Sequence, residues 1–205
     1  MEKIKASLFF AFGSIYLSEK LLSNPEPKVL HISDTPTVFY SSLAKIIKKL
    51  EPQYIIHTGD LVDNIKLDIR PNKLKEYQDG VYSLLNILEG STAQKIYITP
   101  GNHDDLEIIE MASRRSIILT QNQVININNI EIKASHYHED LVNSQVKYNL
   151  FGHDVVPKSS LNKGMLFLNG IESINIITLY SGHVFALPYP LGTNDARLGK
   201  FKFGI

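Results

Sequence analysis

Residues 53–64 read QYIIHTGDLVDN, an apolar run of strand length that breaks into Gly59, Asp60, Asp63 and Asn64. A short run of β-branched and aromatic side chains bounded by turn residues marks a buried strand. The loop that follows carries carboxylates at the strand's carboxyl end. The same arrangement recurs on either side. Upstream, residues 28–33 (KVLHIS) end in Asp34; downstream, residues 95–99 (KIYIT) run into Gly101, Asn102, His103, Asp104 and Asp105. Between the first two strands, residues 38–50 place Leu43, Ile46, Ile47 and Leu50 at the spacing of an amphipathic helix. Further helices are expected within 72–88 and over 104–112. Strands alternating with helices imply parallel pairing with right-handed crossovers.

From Ser116 the chain changes character, with short runs such as QVININ, IEIKAS, KYNLF, GMLFLN and INIITLY and few helix signals. No Pro/Gly-rich linker separates the halves. An α/β half joined directly to a strand-rich half implies two sheets packed face to face with helices outside. Residues 25–205 are expected to form one domain. The N-terminal residues 1–24 contain an apolar run at 6–17 after Lys3 and Lys5, too short to span a bilayer. No small-x-small cleavage site follows it. Residues 1–24 are therefore expected to form a helix that packs on the domain or on a partner, giving a protein-partner or homo-oligomer contact. A cytoplasmic location is expected, with membrane association through residues 4–22 left open.

Composition narrows the chemistry. Hydrophobic residues at 43% and charged residues at 20% suit a soluble globular chain of 205 residues. Lys plus Arg and Asp plus Glu are both 21, and binding to phosphate backbones draws on an excess of positive charge. Nucleic acid is thus not the expected partner. There is no cysteine, so thiolate metal sites, disulfides and a cysteine nucleophile are excluded. Any metal must be held by His, Asp, Glu or Asn.

Ligands of open α/β folds bind beyond the carboxyl ends of the strands. Five strand ends here deliver Asp34, Asp60, Asn102 with His103, His136 and His153 towards one rim. Any one alone reads as a turn residue or helix cap; the set is harder to explain that way. His31 and His57, inside apolar strands, read as core histidines hydrogen-bonded to backbone. Asp63 reads equally as a supporting partner or a turn residue, and His183 as a loop or strand-end residue.

The blocks HISD, HTGDLVD, TPGNHDD, SHYH and LFGHDVVPK, over roughly residues 28–170, resemble the successive signatures of calcineurin-like metallophosphoesterases, small bacterial and archaeal phosphoesterases above all. The resemblance implies a four-layer α/β/β/α sandwich of two mixed sheets flanked by helices. It also implies hydrolysis of a phosphate mono- or diester by a metal-activated hydroxide, as a phosphatase or phosphodiesterase. Carried across, Asp60 is the carboxylate bridging two cations, and Asn102, His136 and His153 complete one cation's shell. His103 lies beside the phosphate as acid, with Asp104 orienting it. Imidazole-rich ligation suits Mn, Fe, Zn or Ni. Serine/threonine phosphatases of this fold carry Arg where Asn64 stands here, which argues against that group.

Two positions depart from the pattern. The first block has Pro36 and the last has Val155 where the family has His, and both lost imidazoles serve the same ion. One tightly bound divalent cation is therefore expected, with the second site, left with Asp34 and a share of Asp60, weak or empty. His138, Asp154 and His31 are candidate substitute ligands; an extended chain would turn His138 to the same face as His136. The alternative is a catalytically degenerate scaffold for protein binding, as one retromer subunit of similar fold illustrates. A nuclease is a third reading, disfavoured by the neutral charge.

Overall fold

The computed structural model describes residues 15–197, so most of the expected helix over residues 1–24 lies outside the described residues. What is described there is an irregular lead-in and a short helix, α1 (Glu19–Leu22), whose Ser18 cap accepts a hydrogen bond from Leu21 N. Leu17 and Leu21 are buried in the main core.

The first half alternates as its sequence requires: β1 (Lys28–Ile32), α2 (Tyr40–Leu50), β2 (Tyr54–His57), α3 (Leu74–Glu89), β3 (Lys95–Ile98), α4 (Leu106–Ala112) and β4 (Ile117–Ile118). The second half contributes β5 (Gln123–Ile127), β6 (Ile130–Ala134), β7 (Tyr148–Phe151), β8 (Ser160–Asn162), β9 (Met165–Asn169), β10 (Ile174–Thr178), β11 (Val184–Leu187) and α5 (Thr193–Arg197). One sheet has the order β11-β10-β1-β2-β3-β4, the other β5-β6-β7-β9-β8. β1 to β4 are parallel, while β10 runs antiparallel to β1. In the second sheet β6, β7 and β9 are parallel and the flanking pairs antiparallel. Both sheets are mixed.

The strand-rich half is not confined to one sheet. β10 is buried at every position, as a strand covered on both faces must be, and it inserts between β1 and β11. Alternation along β1 assigns the two faces. Leu30 and Ile32 join Leu43, Ile47, Leu84 and Leu88 of the helices, and Val29 joins Ile132, Leu150 and Leu168 of the second sheet. The second sheet's outer face carries a thin cover, the 3₁₀ turn Glu139–Leu141, whose Leu141 packs on Phe151 and Phe167. The sandwich brings the carboxyl ends of β1, β2 and β3 against those of β6 and β7. Among the described residues, no helix is long and apolar enough to cross a membrane.

Candidate metal centre

The loops after β1 and β2 are stitched together before any ligand is considered. Asp34 N donates to Gly59 O at 2.8 Å and Thr35 N to Asp60 O at 2.9 Å. Gly59 has φ +102, and a Cβ there would collide with the His136 ring. Only glycine suits both demands. Asp34, Asp60 and His153 themselves adopt φ of 51, 55 and 67. Such conformations cost non-glycine residues about 1 kcal/mol or more each, and persist where surrounding structure enforces them, often at functional sites.

The donors meet at His136, which is fully buried. Its Nδ1 lies 2.7 Å from Thr58 O; a carbonyl can only accept, so Nδ1 carries the hydrogen. That leaves Nε2 turned towards a set of nitrogen and oxygen atoms able to ligate a cation. Asn102 Oδ1 is 3.0 Å away, His153 Nδ1 3.2 Å and Asp60 Oδ2 3.7 Å. Ligand atoms about 2.1 Å from one cation, at octahedral or tetrahedral angles, stand about 3.0–3.4 Å apart. Asn102 Oδ1 and His153 Nδ1 fall within that span, and Asp60 Oδ2 stands a little beyond it. Thr58 O plays the outer role that fixes a ligating imidazole's tautomer. Asp34, Asp60 and His136 place ligand atoms within 4.8 Å of one another. Asp34 Oδ2 accepts from Ser33 Oγ at 2.5 Å and from His153 N at 3.1 Å. Asp34 therefore borders the imidazole-rich cluster directly.

Other expected site residues stand elsewhere. Asp104 does not orient His103. Its carboxylate accepts from Asp60 N, Leu61 N and Gly101 N at 2.8–2.9 Å and from Tyr77 Oη at 2.9 Å. It ties the β2 and β3 loops together. The partner of His103 is Asp68, whose Oδ1 lies 2.7 Å from Nδ1, off the line of an aligned hydrogen bond. His138 does not share the face of His136, because residues 136–138 bend instead of extending. Its ring packs on Phe151 and Phe167 with centroids 4.9 and 5.9 Å apart. Asp154 is exposed and outside the three-residue cluster, although it lines the adjoining cavity with Asp34 and His153. His31 faces Thr58 Oγ1 at 3.0 Å and Asn175 at 3.3 Å and is buried away from the cluster. His57 Nδ1 accepts from Gly59 N at 3.2 Å while Nε2 meets Thr35 Oγ1 at 3.0 Å. His57 thus has one backbone and one side-chain partner, whereas His31, expected to bond backbone, meets side chains instead. Pro36 is buried and opens the 3₁₀ turn Thr37–Phe39; Val155 is exposed.

Electrostatics follow from burial. Desolvation first, then the charges of Asp34, Asp104 and Asp63, push Asp60 up to about 9. Asp63 is pushed up to about 7 by burial and by Asp34, against the opposing pull of Lys66. His31 and His57 are held down to about 3, chiefly by burial, and stay neutral. His103 is lowered by burial and by the charge of Lys66, with Asp68 opposing. A knot of buried carboxylates beside neutral imidazoles fits a divalent cation, which would reverse the penalty that Asp60 bears.

Three contributors had no readable signal in the sequence. Asp68 and Lys66 sit in the irregular stretch after β2, and Arg197 arrives from α5 in a segment without a motif. Tyr77 reads as helix core and is fully buried, yet its hydroxyl also accepts from Asp105 N at 3.0 Å.

Residues 27–194 match the calcineurin-like phosphoesterase family. The chain belongs to that family, the metallophosphoesterases, which are metal-dependent hydrolases acting on phosphoester bonds. No curated protein sequence matches the chain significantly. Among solved structures, an archaeal phosphodiesterase aligns at 15% identity and a TM-score of 0.50, over 77% of this chain and 97% of its own. The Escherichia coli phosphoesterase YfcE aligns at 15% identity and a TM-score of 0.54, over 79% and 98%. Both likenesses concern the fold.

Proposed function

We propose that this chain hydrolyses a phosphate mono- or diester using one tightly held divalent cation. Asp60, Asn102, His136 and His153 are its ligands, with Asp34 at the margin. The observation that carries this reading is the convergence of potential ligand atoms on His136 Nε2, which has Asn102 Oδ1 at 3.0 Å and His153 Nδ1 at 3.2 Å. A cation bound there supplies Lewis acidity, polarising a phosphoryl oxygen and lowering the pKa of a water. Manganese suits the mixed oxygen and imidazole set, as do iron, zinc and nickel. His103, half-enclosed beside Asn102 and paired with Asp68, delivers a proton or hydrogen bond to the leaving oxygen. Asp104 holds the Asp60 backbone in place.

The test is hydrolysis of p-nitrophenyl phosphate and bis-p-nitrophenyl phosphate by purified protein with Mn²⁺. Turnover above that of an Asn102→Ala/His103→Ala double variant is expected; parity between the two sinks the reading. A cytoplasmic enzyme acting on a phosphorylated small molecule or diester is the setting this implies.

The departures at Pro36 and Val155 favour a second reading, a scaffold that docks partners through the N-terminal residues 1–24. Removing those residues separates the two. Loss of a co-purifying partner supports the scaffold, whereas unchanged Mn²⁺-dependent turnover supports the enzyme.

A further inference from the structure

A cavity of about 280 Å³ opens beside the metal centre, lined in part by Asp34, Asp63, Lys66, His153, Val155 and Arg197. One of the two departures from the family pattern, Val155, is on its wall. Asp34 and Asp63 line it at 2% and 4% exposure, and Asp60 stands close enough to feel the charge of both. Buried carboxylates this near one another either keep a proton or are matched by positive charge. Asp63 stands outside the Asp34, Asp60 and His136 cluster that a cation at His136 would serve.

The chain supplies the balance itself. Lys66 Nζ lies 2.6 Å from Asp63 Oδ1. Arg197, only 4% exposed, donates from Nε to Asp34 O at 2.6 Å, from Nη2 to Ser33 O at 3.0 Å, and from Nη1 to Ile171 O at 2.9 Å and Asn194 Oδ1 at 3.1 Å. Its guanidinium stacks 3.9 Å over the Tyr189 ring. Two side-chain cations thus bring the charge of one divalent ion to the side that has lost its imidazoles.

Building on the one-cation reading above, we propose that Lys66 and Arg197 stand in for a second metal ion in this chain. The two differ in freedom. Arg197 is committed to backbone carbonyls and an amide and acts as a fixed charge. Among the described residues Lys66 has one ion-pair partner, and its side chain is 31% exposed; it can leave Asp63 for a phosphate oxygen, which is the contact a second ion would make. Together they repel a second cation from the side where Lys66 pairs with Asp63.

The experiment counts Mn²⁺ on the metal-stripped full chain by equilibrium dialysis and reads its electron paramagnetic resonance. The native chain is expected to take one Mn²⁺, with the hyperfine pattern of an isolated ion. Lys66→Ala is expected to take a second, bound about ten-fold or more tighter than any second ion on the native chain, with an exchange-coupled spectrum from a shared carboxylate. Lys66→Arg should behave as native. Two comparable ions on the native chain overturn the proposal, as does a Lys66→Ala count that stays at one in protein whose circular dichroism is native. Adding Pro36→His and Val155→His to Lys66→Ala supplies imidazoles, and a count still at one there overturns it equally. If the one-to-two switch is seen without any hydrolysis, the enzyme reading fails and the stand-in role remains supported. If no Mn²⁺ binds to any of these proteins, both fail.

Discussion

The two sides of the centre solve one electrostatic problem by different means. Around His136, Asn102 Oδ1, His153 Nδ1 and Asp60 Oδ2 gather at 3.0–3.7 Å from Nε2. That side could take a removable charge. Around Asp63 the carboxylate already has Lys66, and the backbone carbonyls of Ser33 and Asp34 already have Arg197. That side is closed by covalently attached charge. An exchangeable ion can activate water, whereas a side-chain cation can only attract and orient. On the proposed reading, activation falls to the His136 side and positioning to the Lys66 side.

The contrast breaks first at His136. His136→Ala should lower Mn²⁺ affinity about 100-fold or more and remove hydrolysis with it; retained affinity by calorimetry would place the ion elsewhere. His103→Ala should leave Mn²⁺ bound and cost about 10²–10³-fold in kcat, the scale of a lost general acid. Asp68→Asn should cost less, and more for alkyl phosphates than for p-nitrophenyl phosphate, because a good leaving group needs little protonation. Equal losses on both substrates would remove Asp68 from the proton step.

Stability against pH probes the carboxylates. The folded-state pKa values of Asp60 and Asp63 lie at about 9 and about 7, above the unfolded value of about 3.9. Groups shifted upward stabilise the fold below the unfolded pKa and lose that contribution as pH rises through the folded value. Metal-stripped protein should therefore lose stability to urea from about pH 4 through about 7 and on to about 9. Mn²⁺ should flatten the upper part of that decline, where Asp60 titrates. A level profile without metal would contradict the picture. The smallest effect belongs to His138→Phe. Substitution between Phe151 and Phe167 should move stability by no more than about 0.5–1 kcal/mol and leave Mn²⁺ affinity unchanged.

Much of this was legible in the chain itself. Alternating apolar runs specified parallel strands and crossovers, and every residue now gathered at His136 follows the carboxyl end of a strand. What escaped is what needs distance. Asp104 looked like a partner for its neighbour His103, but a residue that follows directly in sequence need not face the same way in a loop. Its carboxylate turned towards Asp60 N and Tyr77 instead. His138 was misplaced because period-two reasoning applies only to extended chain, and the chain bends there. Arg197 lies 163 residues from the Asp34 carbonyl it binds, and no local pattern encodes such a meeting. The departures at Pro36 and Val155 were visible as losses; their compensation by Lys66 and Arg197 was not.

His136 belongs to the second sheet's side of the sandwich, yet its ring hydrogen-bonds Thr58 and confronts Asn102, both on loops of the first. An ion gripped there is a rivet through the seam between the two sheets. Prising the sheets apart in an optical trap should then require markedly more force when Mn²⁺ is present, and stripping the ion should make that seam the first place to give.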